Sequence, residues 1–315
     1  MELEHNWNGR PYHSLDWELK HTFGHKVYKL SLDAGLTCPN RDGTCGTRGC
    51  IFCSEGGSGD FAESLKTDVW DQIEAAKKHV CNKTGSDKNI NYIAYFQSFT
   101  NTYGPVSYLK PLFERAISHP DIAALSIATR PDCLGDDIID LLKELNSKKP
   151  VWVELGLQTI HEDSARLIRR GYELPCFLDA LRRLKEAGLT VVVHVILGLP
   201  GETREDMLET VRFLGRLDNP SIDGIKLQLL HVLKGTELCR LYEREPFHVM
   251  EPEEYFSLIA DCIRLLPPHI VIHRISGDGP KSLLKAPLWS GNKRFVLNSI
   301  AKTLRETGAF QGEWA

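Results

Sequence analysis

Strand-like and helix-like segments alternate along almost the whole of this 315-residue chain. Runs rich in β-branched and aromatic residues are typical of strands, and the segments between them have helical spacing. Because parallel neighbours are joined by crossovers, the alternation predicts parallel strands with right-handed connections. The strand-like runs are HKVYKLSL, NYIAYFQSF, AALSIATR, VWVELGLQ, TVVVHVILGL and GIKLQLLHV, and helices are expected near 62–82, 105–119, 135–147, 161–188 and 203–217.

The predicted fold class is α/β, with a partial (β/α)6 TIM-like barrel. Near-continuous apolar strands such as VVVHVIL indicate burial on both faces of a sheet, as in parallel α/β folds. We expect an N-terminal segment at residues 1–20, a barrel at 21–234 and a C-terminal α/β extension at 235–315 that packs on the barrel. In the extension, helices are expected near 252–266 and 293–308.

Composition excludes several classes of protein. Hydrophobic residues make up 42% and charged residues 25%, as in ordinary globular proteins rather than disordered or coiled-coil chains. The formal charge of −4 shows no overall basic excess, so contact with a nucleic acid would need a local basic patch. No apolar run approaches the roughly 18 residues of a membrane span, and MELEHNWNGR does not resemble a signal peptide. We therefore expect a cytoplasmic protein without membrane contact.

Four of the nine cysteines lie within sixteen residues, at Cys38, Cys45, Cys50 and Cys53. The CxxC spacing of the last two allows both thiolates to bind one metal centre. A zinc site normally has a fourth Cys or His, whereas three cysteines leave one iron of a cluster open to a ligand. A zinc or redox-sensing loop is the alternative interpretation. The other cysteines are scattered and expected to be small core side chains: Cys81, Cys133, Cys176, Cys239 and Cys262.

The loop CPNRDGT…GCIFC, which follows the first strand, resembles the YhcC/YtqA-like radical S-adenosylmethionine (SAM) family. That family is related to the radical SAM catalytic subunit of Elongator, and the resemblance runs from about Lys20 to Arg294. It implies a barrel of the radical SAM type with a [4Fe-4S] cluster bound by Cys38, Cys50 and Cys53. Cys45, which the family does not require, is the alternative third ligand. Reductive cleavage of SAM on the fourth iron would give methionine and a 5′-deoxyadenosyl radical.

The resemblance also implies which residues bind SAM. The aromatic Phe52 would meet the adenine, polar groups after the second strand would hold the methionine amino group, and Gly198 would allow the adenine close to the backbone. Arg170 would bind the SAM carboxylate, with Arg169 as the competing choice, since a guanidinium can bind a carboxylate bidentately. Arg130 has the alternative of a structural ion pair with Asp132. The expected cofactor-binding set is Phe52, Gln97, Ser98, Arg130, Glu154, Gln158, Arg170 and Gly198.

The substrate side of the site is expected on the last strands. Because side chains alternate along a strand, Lys226 and Gln228 lie on the same face of the sixth strand. The candidate catalytic residues are Lys226 and His273, together with the three cysteines. Residues 269–295 hold five Lys or Arg against one acid, which indicates contact with RNA phosphates, although a solvated extension would show the same pattern. The candidate RNA-binding residues are Arg274, Lys281, Lys293 and Arg294.

The resemblance implies radical chemistry on tRNA, at the side chain of a wobble uridine. A specific expectation is the conversion of 5-carboxymethylaminomethyluridine to 5-aminomethyluridine. The expected partners are tRNA and an electron donor, either a reductase or a flavodoxin or ferredoxin. Two alternatives remain open at this point: a radical SAM enzyme that acts on a small metabolite or a protein, and a non-catalytic Fe–S redox or partner-binding module.

Overall fold

A seven-stranded parallel sheet forms the centre of the molecule, in the order β1-β2-β3-β4-β5-β6-β8. The computed structural model describes residues 6–57, 68–84, 90–277 and 279–315. The strands of this sheet are β1 (Val27–Leu32), β2 (Asn91–Phe96), β3 (Ile122–Thr129), β4 (Val151–Gln158), β5 (Thr190–Leu197), β6 (Gly224–Leu229) and β8 (Val271–Arg274), and β7 (Val232–Leu233) pairs separately and antiparallel with β9 (Leu284–Ala286).

Helices connect the strands and cover the outer face of the curled sheet. Each strand of the seven-stranded sheet leads into the next strand of that sheet through at least one helix, as parallel pairing requires. The helices are α1 (Leu15–Phe23), α2 (Val69–Thr84), α3 (Val106–Ile117), α4 (Asp136–Asn146), α5 (Glu162–Leu167), α6 (Leu174–Glu186), α7 (Arg204–Gly215), α8 (Glu237–Arg244), α9 (Pro252–Leu265) and α10 (Lys293–Thr307).

Helix α1 closes the barrel at the amino ends of the strands. It packs against β1 and β8, which are the two edges of the sheet. Its buried Leu19 forms a small apolar cluster with Ile93, Ala124 and Trp152 on the inner side of three strands. With this end closed by α1, the interior of the half-barrel opens at the carboxyl ends of the strands, where barrel enzymes place their sites.

The expected α/β half-barrel is confirmed, with one strand more than expected. The run HIVIHRIS, placed by the sequence in the extension, provides β8, which pairs in parallel with β6. The barrel therefore takes a strand from beyond residue 234, and α1 spans the boundary expected at 20. The three-part division of the chain stays a prediction.

The single helix expected at 161–188 is wrong. The structure has α5 and α6 there, separated by a turn at residues 168–173. Within this turn, Arg169 has a φ of 57° and Gly171 a φ of 84°, values that end a right-handed helix. This turn lies against the cysteine loop and supports it.

The scattered cysteines are partly core residues. Cys239 and Cys262 are buried, whereas Cys133 and Cys176 are only half-buried. The Cys81 side chain and residues 62–67 of the first expected helix lie outside the described part of the chain.

Candidate active site

One cavity opens at the carboxyl ends of the parallel strands and reaches down into the barrel. The loop after β1 forms one wall, and residues from β2 to β6 and from β8 form the rest. The structure thus brings together residues separated by more than 200 positions in the sequence. The residues singled out from the sequence that line it are Cys38, Cys50, Phe52, Cys53, Gln97, Arg130, Glu154, Gln158, Arg170, Lys226 and Arg274.

Three of the four clustered cysteines face this cavity. Cys38, Cys50 and Cys53 line it, whereas Cys45 is exposed and lines a separate groove on the outside of the loop. The thiols of Cys50 and Cys53 lie within hydrogen-bond reach of each other. The three cysteines that face the cavity are the ones that the sequence analysis assigned to a cluster.

The conformation of the cysteine loop is fixed by two side chains that the sequence analysis missed. Asn40 Nδ2 donates to the carbonyl oxygens of Arg169 at 2.7 Å and Arg170 at 3.2 Å, and lies 3.4 Å from Cys50 Sγ. A Cβ at Gly171 would come within 2.6 Å of Asn40 Oδ1, so this contact requires glycine. Arg41 donates to the Ser54 carbonyl at 2.5 Å and lies over the Phe99 ring. The loop is therefore held to the turn after α5.

The electrostatics of the loop favour a thiolate at Cys50. A hydrogen bond from the Cys53 thiol, aided by Asn40, lowers the pKa of Cys50 to about 7 in spite of burial. The same hydrogen bond, together with burial, raises the pKa of Cys53 well above its usual range. Metal ligation requires thiolates, so one of the two paired thiols is prepared to bind.

Most of the donor groups of Arg170 form hydrogen bonds within the protein. Its Nε donates to the Tyr172 carbonyl at 2.8 Å, and one terminal nitrogen donates to the carbonyls of Leu157 and Thr159. The other terminal nitrogen donates to Glu162 Oε1 at 3.0 Å. Four of its five N–H groups are thus used inside the protein. Arg170 lines the cavity and holds the turn at 168–173 in place, and its expected role in SAM binding stays a prediction.

Arg169 and Arg130 also have partners within the protein. Arg169 forms a bidentate ion pair with Glu237, with N–O distances of 2.8 and 2.9 Å. It therefore does not replace Arg170 as a SAM ligand. Arg130 lines the cavity but pairs with both carboxylate oxygens of Asp132 at 2.6 and 2.9 Å, the structural alternative raised by the sequence.

Gln158 has an unsatisfied acceptor that a cofactor could fill. It lies at the end of β4 in the wall of the cavity, with a φ of 71°. Its Oε1 is buried and has no hydrogen-bond partner within the described part of the chain. A buried polar atom without a partner costs free energy, so this atom fits a site whose ligand supplies a donor. The residues present therefore fit a cluster with a polar cofactor beside it.

Three expected site residues lie away from the cavity. Ser98 is buried behind the wall, and Gly198 packs so closely on Met250 that a Cβ would lie 2.8 Å from its methyl group. His273 lies deeper in the barrel than the cavity, and its ring packs against Trp152. The ring occupies the space that a side chain in place of Gly224 would fill. Burial holds the pKa of His273 well below its usual range, so the ring is neutral. The expected roles of Ser98 and Gly198 in SAM binding and of His273 in catalysis are thus not supported.

The floor of the cavity is a charged network centred on Glu154. Glu154 is fully buried, and its Oε1 accepts hydrogen bonds from Lys29 Nζ at 2.5 Å and Ser126 Oγ at 2.7 Å. Its Oε2 accepts from His194 Nε2 at 2.7 Å and from Lys226 Nζ. All four acceptor positions of the carboxylate are used, so Glu154 holds the lysines instead of binding SAM directly. Burial and Lys226 lower the pKa of His194 to about 4, and this histidine is neutral.

The candidate RNA-binding residues divide into two groups. Arg274 lies inside the barrel and lines the cavity, away from the exposed surface. Lys281, Lys293 and Arg294 are exposed on the extension. Lys293 lies beside Gly277, a residue at the edge of the cavity. The three exposed cations keep their expected role as a prediction.

The residues that the sequence analysis missed could have been found from strand alternation. Lys29 and Tyr95 face the interior from β1 and β2, and Lys29 lies 4.8 Å from the centre of the Tyr95 ring. A lysine in the middle of an otherwise apolar strand is rarely tolerated without a buried partner, and this was the available signal.

Comparisons with known proteins agree with this geometry. The model of the radical SAM superfamily matches residues 43–214, and that of the radical SAM C-terminal domain matches residues 222–306. Protein YtqA of Bacillus subtilis is 45% identical over 96% of this chain and 92% of its own length. Mouse Elongator complex protein 3 is 27% identical over 65% of this chain and 36% of its own length. The structure of Elp3 from Methanocaldococcus infernus superposes with a TM-score of 0.68 and 20% identity, over 90% of this chain and 63% of that one.

Proposed function

This chain belongs to the radical SAM superfamily, and we propose that it modifies the side chain of a wobble uridine in tRNA. As a radical SAM enzyme it uses a [4Fe-4S] cluster and SAM. Enzymes of this superfamily need an electron donor, and a reductase, a flavodoxin or a ferredoxin is the proposed partner here. None of the helices that the structure describes is long and apolar enough to cross a membrane.

Cys38, Cys50 and Cys53 would hold the cluster, and the cavity beside them would hold SAM. The observation that carries this assignment is the convergence of three thiols and the unsatisfied Gln158 Oε1 on one cavity. Bound there, the cluster and SAM would supply the radical chemistry that removes a hydrogen atom from carbon. Phe52 covers the same cavity with apolar surface from the cluster loop, which helps to exclude water.

The protein's own residues would position the substrate below the cofactor. Glu154 fixes Lys226 in the floor, and Lys226 Nζ also lies 3.1 Å from the Tyr95 hydroxyl. Because α1 closes the amino end of the barrel, a substrate would reach this floor from the carboxyl ends of the strands, where the cavity opens. Such a path fits one protruding group, such as a nucleobase with its side chain, that enters the cavity from solvent.

Two features support tRNA as the source of that group. The chain resembles Elongator complex protein 3 in sequence and in fold, although the structural similarity at 20% identity is one of fold alone. Lys281, Lys293 and Arg294 are exposed on the extension, where they could contact the phosphate backbone. We propose that the side chain converted is carboxymethylaminomethyl and that the product is aminomethyl. Loss of a hydrogen atom from the carboxymethyl carbon, and of one electron to the partner electron carrier, would give an imine, and addition of water would then release the two carbons as glyoxylate.

Nucleoside mass spectrometry of tRNA from a deletion strain tests this proposal. We expect carboxymethylaminomethyluridine to accumulate, and a plasmid copy of the parent or of Cys45→Ala to reverse the change. A Cys50→Ala copy should not reverse it, because it lacks a cluster ligand. Unchanged wobble nucleosides in the deletion strain would contradict tRNA modification and favour a metabolite or a protein as substrate.

A further inference from the structure

Arg274 is the cation of the cavity whose donors are least used. It ends β8, opposite Lys226 in the parallel pairing of β6 and β8. Within the part of the chain that the structure describes, its one hydrogen bond is a long contact of 3.5 Å from one guanidinium nitrogen to Gln228 Oε1. An arginine has five N–H groups, so most of the donors of Arg274 are available to a ligand in the cavity.

The interior around Arg274 carries more positive than negative charge. Lys29, Lys226 and Arg274 face one carboxylate, Glu154, in the floor. The other titratable groups there add no negative charge, because His194 is neutral and burial raises the pKa of Tyr95 well above its usual range. An excess of buried charge of one sign is unfavourable unless a counter-charge enters with a ligand.

We propose that Arg274, supported by Lys226, binds an anionic group on the substrate, and specifically a carboxylate on the side chain that reacts. This inference rests on the proposed function, which supplies such a carboxylate in the carboxymethylaminomethyl group. A planar guanidinium with unused donors binds a carboxylate through two parallel hydrogen bonds, a geometry that the compact ammonium of lysine cannot reproduce.

The depth of Arg274 in the barrel suits this role. The cysteines follow β1 in a loop beyond the carboxyl end of the sheet, whereas Arg274 is level with Lys226, which is one inward-facing position below Gln228. A side chain that enters from the open end would place its anionic tip at Arg274. The carbon atoms behind that tip would then lie nearer to the cysteine loop.

A binding comparison tests the anion site without turnover. Two anticodon stem-loops that differ only in the wobble side chain, carboxymethylaminomethyl or aminomethyl, are titrated into reconstituted protein with its cluster oxidised and SAM saturating. Fluorescence anisotropy reports both affinities. We expect the parent to bind the carboxylate-bearing RNA about ten- to a hundredfold more tightly, as is typical of charge-assisted hydrogen bonds.

Variants identify the residue responsible. Arg274→Met should abolish the preference and leave the affinity for the aminomethyl RNA unchanged. Arg305→Met, which removes an exposed arginine from α10, should retain the preference. If Arg274→Met weakens both RNAs equally, Arg274 binds a phosphate common to both, and the carboxylate assignment is wrong. If the parent shows no preference, the anion site is wrong, while RNA affinity still supports the proposed function.

A second measurement does not depend on RNA. Acetate should raise the melting temperature of the parent, and the increase should be absent in Arg274→Met, because a ligand that binds only the folded state stabilises it. Arg274→Lys serves as a second variant if the Met protein folds poorly. Equal increases in the parent and in the Arg274 variants would overturn the anion site. Absence of any RNA binding together with an acetate effect that depends on Arg274 would reject only the tRNA substrate.

Discussion

Lys29 Nζ and Glu154 Oε1 lie 2.5 Å apart inside the barrel, although the two residues are 125 positions apart in sequence. Glu154 is fully buried and also binds Lys226 and His194. Burial alone would raise its pKa, but Lys226, Lys29 and His194 together hold the pKa well below the usual range. The carboxylate is therefore charged at neutral pH and keeps two lysines in the floor of the site.

Glu154→Gln should strongly destabilise the fold. The change removes the buried counter-ion of Lys29 and Lys226, so each lysine must either lose its proton or stay charged in the interior without a partner, and breaking such a network typically costs about 3–5 kcal/mol. Urea unfolding measures the difference in free energy. Glu114→Gln, which breaks an exposed pair with Lys148, is the matched control and should cost at most about 1 kcal/mol. Similar small losses in both variants would show that the network does not hold the barrel together.

Binding of a carboxylate-bearing substrate should weaken as the pH rises through about 7. Burial, with Lys29 and Arg274 nearby, lowers the pKa of Lys226 to about 7 in spite of Glu154. The ammonium is thus charged below that pH and loses its proton above it, and the positive charge that attracts the anion falls. Of the other groups that face Lys226, His194 has a pKa of about 4, the pKa of Tyr95 is well above its usual range, and burial also lowers the pKa of Lys29.

Anisotropy titrations of the carboxymethylaminomethyl stem-loop between pH 6 and 8.5 measure this effect. Lys226→Met should remove the pH dependence, and the aminomethyl stem-loop should show none with the parent. A parent profile that is flat across pH 7, or one that Lys226→Met leaves unchanged, would show that Lys226 is not the titrating group.

The cysteines should differ sharply in their effect on the cluster. Anaerobically reconstituted parent should hold about four irons and absorb near 400 nm. Cys38→Ala, Cys50→Ala and Cys53→Ala should each lose the cluster, because two thiolates retain it poorly. Cys45→Ala should keep it, since this thiol is exposed on the outside of the loop. A cluster that survives Cys38→Ala but not Cys45→Ala would reverse the assignment of the third ligand.

Substitutions of Gln158 and Arg170 should have different effects, the first on cofactor binding and the second on stability. Gln158→Ala should weaken SAM binding about tenfold with iron content and melting temperature unchanged, because it removes an acceptor that only a ligand can use. Arg170→Ala should lower the melting temperature, because it breaks bonds to three carbonyls and Glu162. Calorimetric titration with SAM and thermal unfolding give the two readouts. An unaltered melting temperature in Arg170→Ala would return that residue to the cofactor site.

Much of the fold could be predicted from the sequence because its signals are local. The strand at Val151–Gln158 has the expected bounds, and the other inner strands differ by at most a few residues at their ends. Apolar strands separated by amphipathic helices leave few alternatives to a parallel sheet. The cysteine loop could also be recognised from the sequence, because the CxxC spacing of Cys50 and Cys53 itself indicates a metal-binding site.

The predictions that the structure did not support concern residues whose partners are distant in sequence. Motif spacing does not show such partners. The interval from Gln158 to Arg170 predicts that both lie near the site, but it does not show that carbonyls and Glu162 take up the guanidinium. The side of β8 that faces inward depends on a register shift between Ile225 and Lys226, which placed His273 below the cavity and Arg274 within it. Lys29 stands out in the sequence as a lysine within an apolar strand, but its partner Glu154, 125 residues away, could not be identified from spacing.

Release of 5′-deoxyadenosine by reconstituted protein, with tRNA from the deletion strain, tests the central claim most directly. The reduced parent should release it faster with this tRNA than without, with about one equivalent for each wobble side chain shortened. Lys281→Glu, Lys293→Glu and Arg294→Glu combined should keep the slow release without tRNA and lose the stimulation. Release that tRNA does not stimulate, with wobble nucleosides unchanged, would contradict the assignment of tRNA as the substrate.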